Sequence, residues 1–281
     1  MSIILDNVNY VYGEGSGYVK HALKNINLVI EKNEFIALIG HTGSGKSTLT
    51  QVLNGLLKPS SGNIYFNGKD ISDKDFDRKL LRQKVGLVFQ YPEHQLFETT
   101  VFKDVCYGPK NMGLTKKEYE LRAFEALTMT GFDNELFYQS PHSLSGGQKR
   151  RVAIAGVLAM KPEILILDEP SAGLDPVGRN EIFDCIKKLR EESGTTIVLV
   201  SHSMEDVAQY ADRVLVMNDG ELIMDGATGE VFAHYRELEK VGLMAPEITY
   251  IMMDLKNKGF DVDTSALNID EGVESILNAL K

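Results

Sequence analysis

The stretch Gly40-His41-Thr42-Gly43-Ser44-Gly45-Lys46-Ser47-Thr48 combines residue types and spacing that suit it to holding phosphate. Glycines at 40, 43 and 45 let the backbone bend so that successive N–H groups point into one hollow. An apolar, strand-like run at 35–39 leads in, and Leu49, Val52, Leu53 and Leu56 follow at helical spacing. That helix aims the positive end of its dipole at the same hollow. Lys46 adds a cation for β- and γ-phosphates, and the Ser47 hydroxyl can ligate Mg²⁺. The alternative is a glycine-rich turn with a surface lysine, and the full spacing and both flanks weigh against it.

Two further groups carry chemistry. Ile164-Leu165-Ile166-Leu167-Asp168-Glu169 is an apolar strand ending in carboxylates, and ligands collect at the carboxyl edge of such a sheet. Asp168 suits the Mg²⁺ shell, through water. Glu169 can orient or deprotonate a water on the γ-phosphate side, a role that contributes roughly 10²–10⁴-fold in rate. The plainer reading is a pair of solvated acids. Leu144-Ser145-Gly146-Gly147-Gln148 opens a second helix, with Val152, Ala155, Gly156 and Ala159 at helical spacing. Its glycine amides, serine hydroxyl and helix N-terminus make a second anion site. One chain then has two phosphate-binding devices but a single lysine-bearing loop. The simplest resolution is that the second device completes the nucleotide site of another subunit; a glycine-rich helix start without a ligand is the alternative.

The elements that must position these residues follow an α/β pattern. Ile3, Leu5 and Val8, then Leu23, Ile26, Leu28 and Ile30, read as strands around the turn Gly13-Glu14-Gly15-Ser16-Gly17. Ile64-Tyr65-Phe66 before Asn67-Gly68 adds a strand and tight turn, so an antiparallel sheet leans on the nucleotide core. Tyr12 ends the first strand, where it can stack on an adenine ring or pack sideways. A strand at 85–89 ends on Gln90, and 91–143 reads as helical with turns at Gly108-Pro109 and Gly131. Core strands follow at 164–167, 196–200 and 213–217, then a short one at 221–224 closed by Asp225-Gly226. Ile248, Ile251, Met252 and Leu255, then Ile269, Val273, Ile276, Leu277 and Leu280, give two amphipathic helices, a packing or dimerisation appendix.

A net charge of −10 argues against DNA or RNA as the main partner, and Lys149-Arg150-Arg151 is too short to reverse that. No apolar run approaches the roughly 20 residues that span a bilayer, and the N-terminus lacks the features of a signal peptide. A cytosolic protein able to dock on a membrane protein is expected. Cys106 and Cys185 have no ligand-like spacing and read as reduced thiols.

On these motifs the chain resembles the ATP-binding cassette ATPases over about residues 3–230. Residues 40–48 match Walker A, 144–148 the family signature and 164–169 Walker B. Ser171-Ala172-Gly173-Leu174-Asp175 resembles the D-loop, Gln90 the Q-loop glutamine, His202 the switch histidine and Tyr12 the adenine-stacking aromatic. The resemblance implies catalytic roles for Glu169, His202 and Gln90, and Mg²⁺ held by Ser47, Gln90 and Asp168. It implies ATP bound by Tyr12 and residues 40–48 of one chain and by Ser145, Gly146, Gly147, Gln148 and Asp175 of the other, in a dimer with two sandwiched nucleotides.

Phe89-Gln90-Tyr91-Pro92-Glu93-His94-Gln95-Leu96-Phe97-Glu98 is similar to energy-coupling factor importers, in particular the second of their paired ATPases. So are Tyr107-Gly108-Pro109-Lys110-Asn111 and Arg150-Arg151-Val152-Ala153-Ile154-Ala155-Gly156-Val157-Leu158-Ala159-Met160. That branch implies a second ATPase subunit (heterodimer or homodimer), a transmembrane coupling subunit and a substrate-binding membrane subunit for vitamins or other micronutrients. It places the chain at the cytoplasmic face of the membrane. Leu96 and Phe97 are then either a docking patch or core packing. The rivals are a conventional or cobalt/nickel-type importer ATPase and a soluble cassette acting on ribosomes or DNA. The expected architecture is a P-loop, RecA-like α/β core with an antiparallel β subdomain and a helical signature subdomain at about 91–160. Together these make a domain at 1–230, followed by a helical extension at 231–281.

Overall fold

A computed structural model describes residues 3–15 and 17–280; Met1 and Ser2 of the N-terminal segment, Ser16 of the expected glycine-rich turn, and Lys281 lie outside it. The chain begins with β1 (Ile3–Tyr12), β2 (Lys20–Ile30), β3 (Phe35–Ile39), α1 (Lys46–Leu53), β4 (Ser61–Phe66), β5 (Lys69–Asp70), α2 (Arg78–Lys84) and β6 (Val85–Val88). It continues through α3 (Val101–Asn111), α4 (Lys116–Met129), α5 (Gly146–Leu158), β7 (Ile164–Asp168), α6 (Pro176–Ser193), β8 (Thr196–Val200) and α7 (Met204–Tyr210). It ends with β9 (Arg213–Asn218), β10 (Glu221–Ala227), α8 (Thr228–Ala233), α9 (Tyr235–Lys240), α10 (Glu247–Asn257) and α11 (Ile269–Ala279).

Continuous apolar runs belong inside a sheet covered on both faces. β3 and β8 are buried at every residue, and they lie centrally in a six-stranded sheet of order β10-β9-β3-β8-β7-β6. All but β10 run parallel. The carboxyl ends of β3, β6, β7 and β8 therefore share one edge, and the segments that follow them emerge side by side. The antiparallel sheet β2-β1-β4-β5 lays Ile3, Leu5, Ile26, Leu28 and Ile64 into one cluster with Ile36, Leu38, Leu49 and Val52. Its β4–β5 turn has φ of 48° at Asn67 and 80° at Gly68, as a tight hairpin requires.

In the helical subdomain Val101, Val105, Ala123, Leu127, Phe132, Phe137 and Val152 share a core. Gly108-Pro109 is no turn: both residues lie inside α3. Pro109 gives up its own i→i−4 hydrogen bond, yet the chain leaves the helix only at Met112 and Gly113. A Cβ at Gly108 would stand 2.9 Å from Met160 Cγ, so close packing on the chain after α5 explains the glycine. Nor does Asp225-Gly226 close the last strand, since β10 runs on to Ala227. Asp225 is held by Arg213 across the strands at 2.6 Å, and Gly226 stays in register with Val214. α2 is short and buries only Leu81, so no apolar period marks it in the sequence; the Asp77 cap on Lys79 and Leu80 starts it.

The expected boundary at 230/231 falls within α8. Val231, Phe232, Leu238 and Leu243 pack with Ala37, Ile39, Val214 and Val216 of the sheet. α10 and α11 share a smaller cluster of Ile248, Met252, Val262 and Ala266. Cys106 and Cys185 are unpaired and buried. Among the described residues no helix is long and apolar enough to cross a membrane.

Candidate active site

β3 delivers the chain to Gly40 at the carboxyl edge, and the loop turns back into α1. Two glycines there are needed by the chain itself. A Cβ at Gly40 would lie 2.4 Å from the Met217 carbonyl oxygen. At Gly45, where φ is 110°, it would lie 2.6 Å from that of Ala22. The Gly220 N–H donates to the Ser44 carbonyl at 2.9 Å, and His41 Nε2 sits 3.1 Å from Asn218 Oδ1, so the loop is braced from β9 onward. Thr42, Gly43 and Ser47 face solvent, with nothing within 4 Å of a Cβ at Gly43. Thr48 is buried, its Oγ1 3.3 Å from the Tyr12 hydroxyl. Tyr12 packs edge-on against Tyr10 at 4.8 Å yet stays 40% exposed, so sideways packing and a free ring coexist.

Buried Lys46 donates from Nζ to the carbonyls of Gly40 at 2.6 Å and His41 at 3.1 Å. Burial pushes its pKa down, against the pull of Asp168 and Glu169. Asp168 ends β7 opposite Val200 of β8. Burial raises its pKa, Glu169 adds to the rise, and Lys46 opposes it. Glu169 has a φ of 50°, a left-handed conformation that strains a non-glycine residue by about 1–3 kcal/mol. Both of its carboxylate oxygens are engaged. Gln90 Nε2 donates to Oε2 at 3.1 Å, and His202 Nε2 stands 3.0 Å from Oε1.

These groups line a cleft of about 350 Å³, together with Lys20 and Ala22 of β2. Burial drives Lys46 and Asp168 both toward neutrality, which an anion beside the lysine and a divalent cation beside the aspartate would relieve. The Ser47 hydroxyl, the Gln90 amide oxygen and the Asp168 carboxylate are a hard, all-oxygen donor set that fits Mg²⁺. Among the described residues no three His, Cys, Asp or Glu side chains form a metal cage.

Ser145, Gly146, Gly147, Gln148 and Asp175 line no part of this cleft. Ser145 caps α5, its Oγ accepting from the Gln148 N–H at 3.3 Å while Gln148 Oε1 accepts from the Ser145 N–H at 2.9 Å. A Cβ at Gly146 would meet nothing within 4 Å, and one at Gly147 only Leu174 Cδ2 at 3.6 Å. Asp175 caps α6 through the Gly178 N–H at 2.7 Å. Sequence reasoning missed two arginines. Arg150 points inward, donating to the carbonyls of Ala172 and, at 3.4 Å, Pro170. Arg179 reaches from α6 to Ser203 and Asp206. The spacing Ser203-x-x-Asp206 could have flagged a helix start there, but no local signal pairs it with Arg179.

Against known proteins, residues 23–172 match the family model described as ABC transporter. The chain is 53% identical to the energy-coupling factor transporter ATP-binding protein EcfA2 of Clostridium perfringens, across 100% of this chain and 99% of that protein. Identity is also 53% to EcfA2 of Caldanaerobacter subterraneus subsp. tengcongensis, across 100% and 98%. Among solved structures, cbiO1 from Clostridium perfringens, described as part of the ABC transporter complex cbiONQ, is 45% identical. It superimposes with a TM-score of 0.73, covering 89% of this chain and 98% of that one. The ATP-binding cassette MJ0796, solved as a dimer in a post-hydrolysis state with ADP and Pi, is 33% identical, with a TM-score of 0.71 over 80% and 98%.

Proposed function

The chain belongs to the ABC transporter family, and from that premise we infer that it is an ATP-hydrolysing subunit of an energy-coupling factor importer, powering uptake of vitamins or other micronutrients. The observation that carries the reading is the grip of Gln90 and His202 on Glu169 beside the phosphate loop. A carboxylate held on both oxygens is fixed in direction and suits a general base. When ATP binds, the amides of residues 43–48 and the Lys46 ammonium, released from the Gly40 and His41 carbonyls, meet the β- and γ-phosphates. Glu169 takes a proton from a water whose oxygen bonds to the γ-phosphorus. The bond from that phosphorus to the β–γ bridging oxygen breaks, leaving ADP and phosphate. His202 and Gln90 keep Glu169 aimed throughout. Ser47, Gln90 and Asp168 would hold Mg²⁺, which when bound offsets charge on the phosphate oxygens. The exposed ring of Tyr12 is open to adenine.

The open surroundings of Gly146 and Gly147 support a signature that serves a second ATPase subunit, and the dimeric state of MJ0796 supports the same arrangement. The names of the EcfA2 and cbiO1 relatives support a complex with a transmembrane coupling subunit and a substrate-binding membrane subunit, this chain lying peripherally at the cytoplasmic face. A groove of about 400 Å³ rimmed by Phe97 and Tyr107 between α3 and α5 suits the coupling subunit. Glu169→Gln tests the reading: ATP binding should persist while turnover falls about 10²–10⁴-fold. Hydrolysis within about threefold of wild type would overturn the role of Glu169.

A further inference from the structure

His202 is about half exposed and meets Glu169 across 3.0 Å, so the placement of its loop sets that contact; within the loop the Ser203 N–H donates to Ser201 Oγ at 3.0 Å. The loop is short, between the end of β8 at Val200 and the start of α7 at Met204. Arg179, in the first turn of α6, adds a tie from outside the loop. Its Nη2 donates to Ser203 Oγ at 2.9 Å, and its Nε donates to Asp206 Oδ1 at 2.9 Å. Ser203 neighbours His202, and its Oγ also caps α7 by accepting from the Asp206 N–H at 3.2 Å. Asp206 is only 2% exposed. Burial raises its pKa, and the Arg179 guanidinium pulls the other way. A guanidinium fork shared between two residues sets direction as well as distance, which a lone ammonium cannot do.

On the other side, Arg179 follows closely on Asp175, whose side chain caps the same helix. A shift of the 171–175 segment therefore carries the start of α6 with it, and through Arg179 it carries Ser203 and His202.

We propose that Arg179 is a positioning residue of the ATPase, tying the start of α6 to the His202 loop so that His202 Nε2 stays on Glu169. The proposal rests on the reading of Glu169 and His202 as catalytic. It adds a mechanical link from Asp175, outside the cleft, to the histidine inside it.

The experiment measures kcat and KM for ATP, with melting temperature, on the full chain assembled with its partner ATPase. Arg179→Lys keeps a cation beside Asp206 but loses the fork. It should lower kcat about tenfold, the loss of one charge-assisted hydrogen bond, with KM within about twofold. In a His202→Ala background, followed by single turnover, the same substitution should cause no further loss. If Arg179→Lys folds poorly, Arg179→Met with Asp206→Leu removes both partners without leaving a buried charge, and the same outcomes apply. A rate unchanged by Arg179→Lys, while His202→Ala lowers it, overturns the proposal alone. Equal losses in both backgrounds replace it with a general structural role. A His202→Ala chain with wild-type kcat overturns the underlying reading of His202, and the proposal with it.

Discussion

Gly147→Ala separates what the signature glycine does for its own chain from what it does for another. Within the chain the change is harmless. Gly147 lies in the first turn of α5, its φ is not left-handed, and an added methyl would meet only Leu174 Cδ2 at an ordinary 3.6 Å. Replacing a helical glycine with alanine stabilises by about 0.4–1 kcal/mol, chiefly by restricting the unfolded chain. In a chain of this size that raises the melting temperature by roughly 1–4 °C. If the amides of Gly146 and Gly147 instead receive the phosphates of a nucleotide held by a second subunit, the methyl enters the space of a phosphate oxygen. Losing one charge-assisted hydrogen bond costs about 1.5–3 kcal/mol, which corresponds to roughly 10–150-fold in rate. The assay pairs a thermal melt of the nucleotide-free chain with ATP turnover of the assembled ATPase, from one preparation. An unchanged or higher melting point with turnover down at least about tenfold is expected. Wild-type turnover would refute the shared site, and a melting point several degrees lower would refute the openness of the position.

Phe97 and Leu96 should behave differently. Phe97 is 60% exposed and edge-on to Tyr107 at 4.8 Å, whereas Leu96 packs against the helical subdomain core. Phe97→Ser should cost only about 0.5–1.5 kcal/mol of stability yet lose co-purification with membrane partners, while Leu96→Ser should lower the melting temperature by several degrees. Full recovery of partners with Phe97→Ser would end the docking reading. For the cysteines, burial pushes the thiols of Cys106 and Cys185 from 9.0 up to about 11. Folded values above unfolded ones mean their contribution to stability is whole below about pH 9 and lost as pH rises through about 11. At pH 8 iodoacetamide should therefore label neither until denaturant is added, and rapid labelling of the native chain would contradict the burial.

The core strands were readable because their signal is local and strong: β3 and β8 are continuous apolar runs, and the glycine spacing at 40–45 repeats no ordinary turn. The misread places are those where a distant contact overrides a local turn signal. Gly108-Pro109 reads as a turn until Met160 is seen against Gly108, and Asp225-Gly226 reads as one until Arg213 is seen gripping Asp225. Individual site residues were readable as motifs, but their contacts depend on strand register. Asp168 lies opposite Val200, and that alignment brings the residues after β7 and β8, Glu169 and His202, within reach. Arg150 and Arg179 were not readable, because each meets partners at least twenty residues away whose spacing carries no period.

The two phosphate-binding devices look alike in sequence and differ in what their glycines are for. At Gly40 and Gly45 the chain's own carbonyls, those of Met217 and Ala22, leave no room for a side chain, so the glycines are demanded from within. At Gly146 and Gly147 the chain leaves room for a Cβ and the backbone is helical, where glycine costs about 1 kcal/mol relative to alanine. The proposed shared site accounts for both glycines by a demand from outside the chain. The capping box is compatible with this, since Ser145 and Gln148 bond each other's N–H groups at the start of α5, with Gly146 exposed and Gly147 half-buried between them. Under the proposed arrangement, glycine at 146–147 admits the close approach of a nucleotide cradled on a second subunit's lysine loop, at a helix N-terminus suited to its charge.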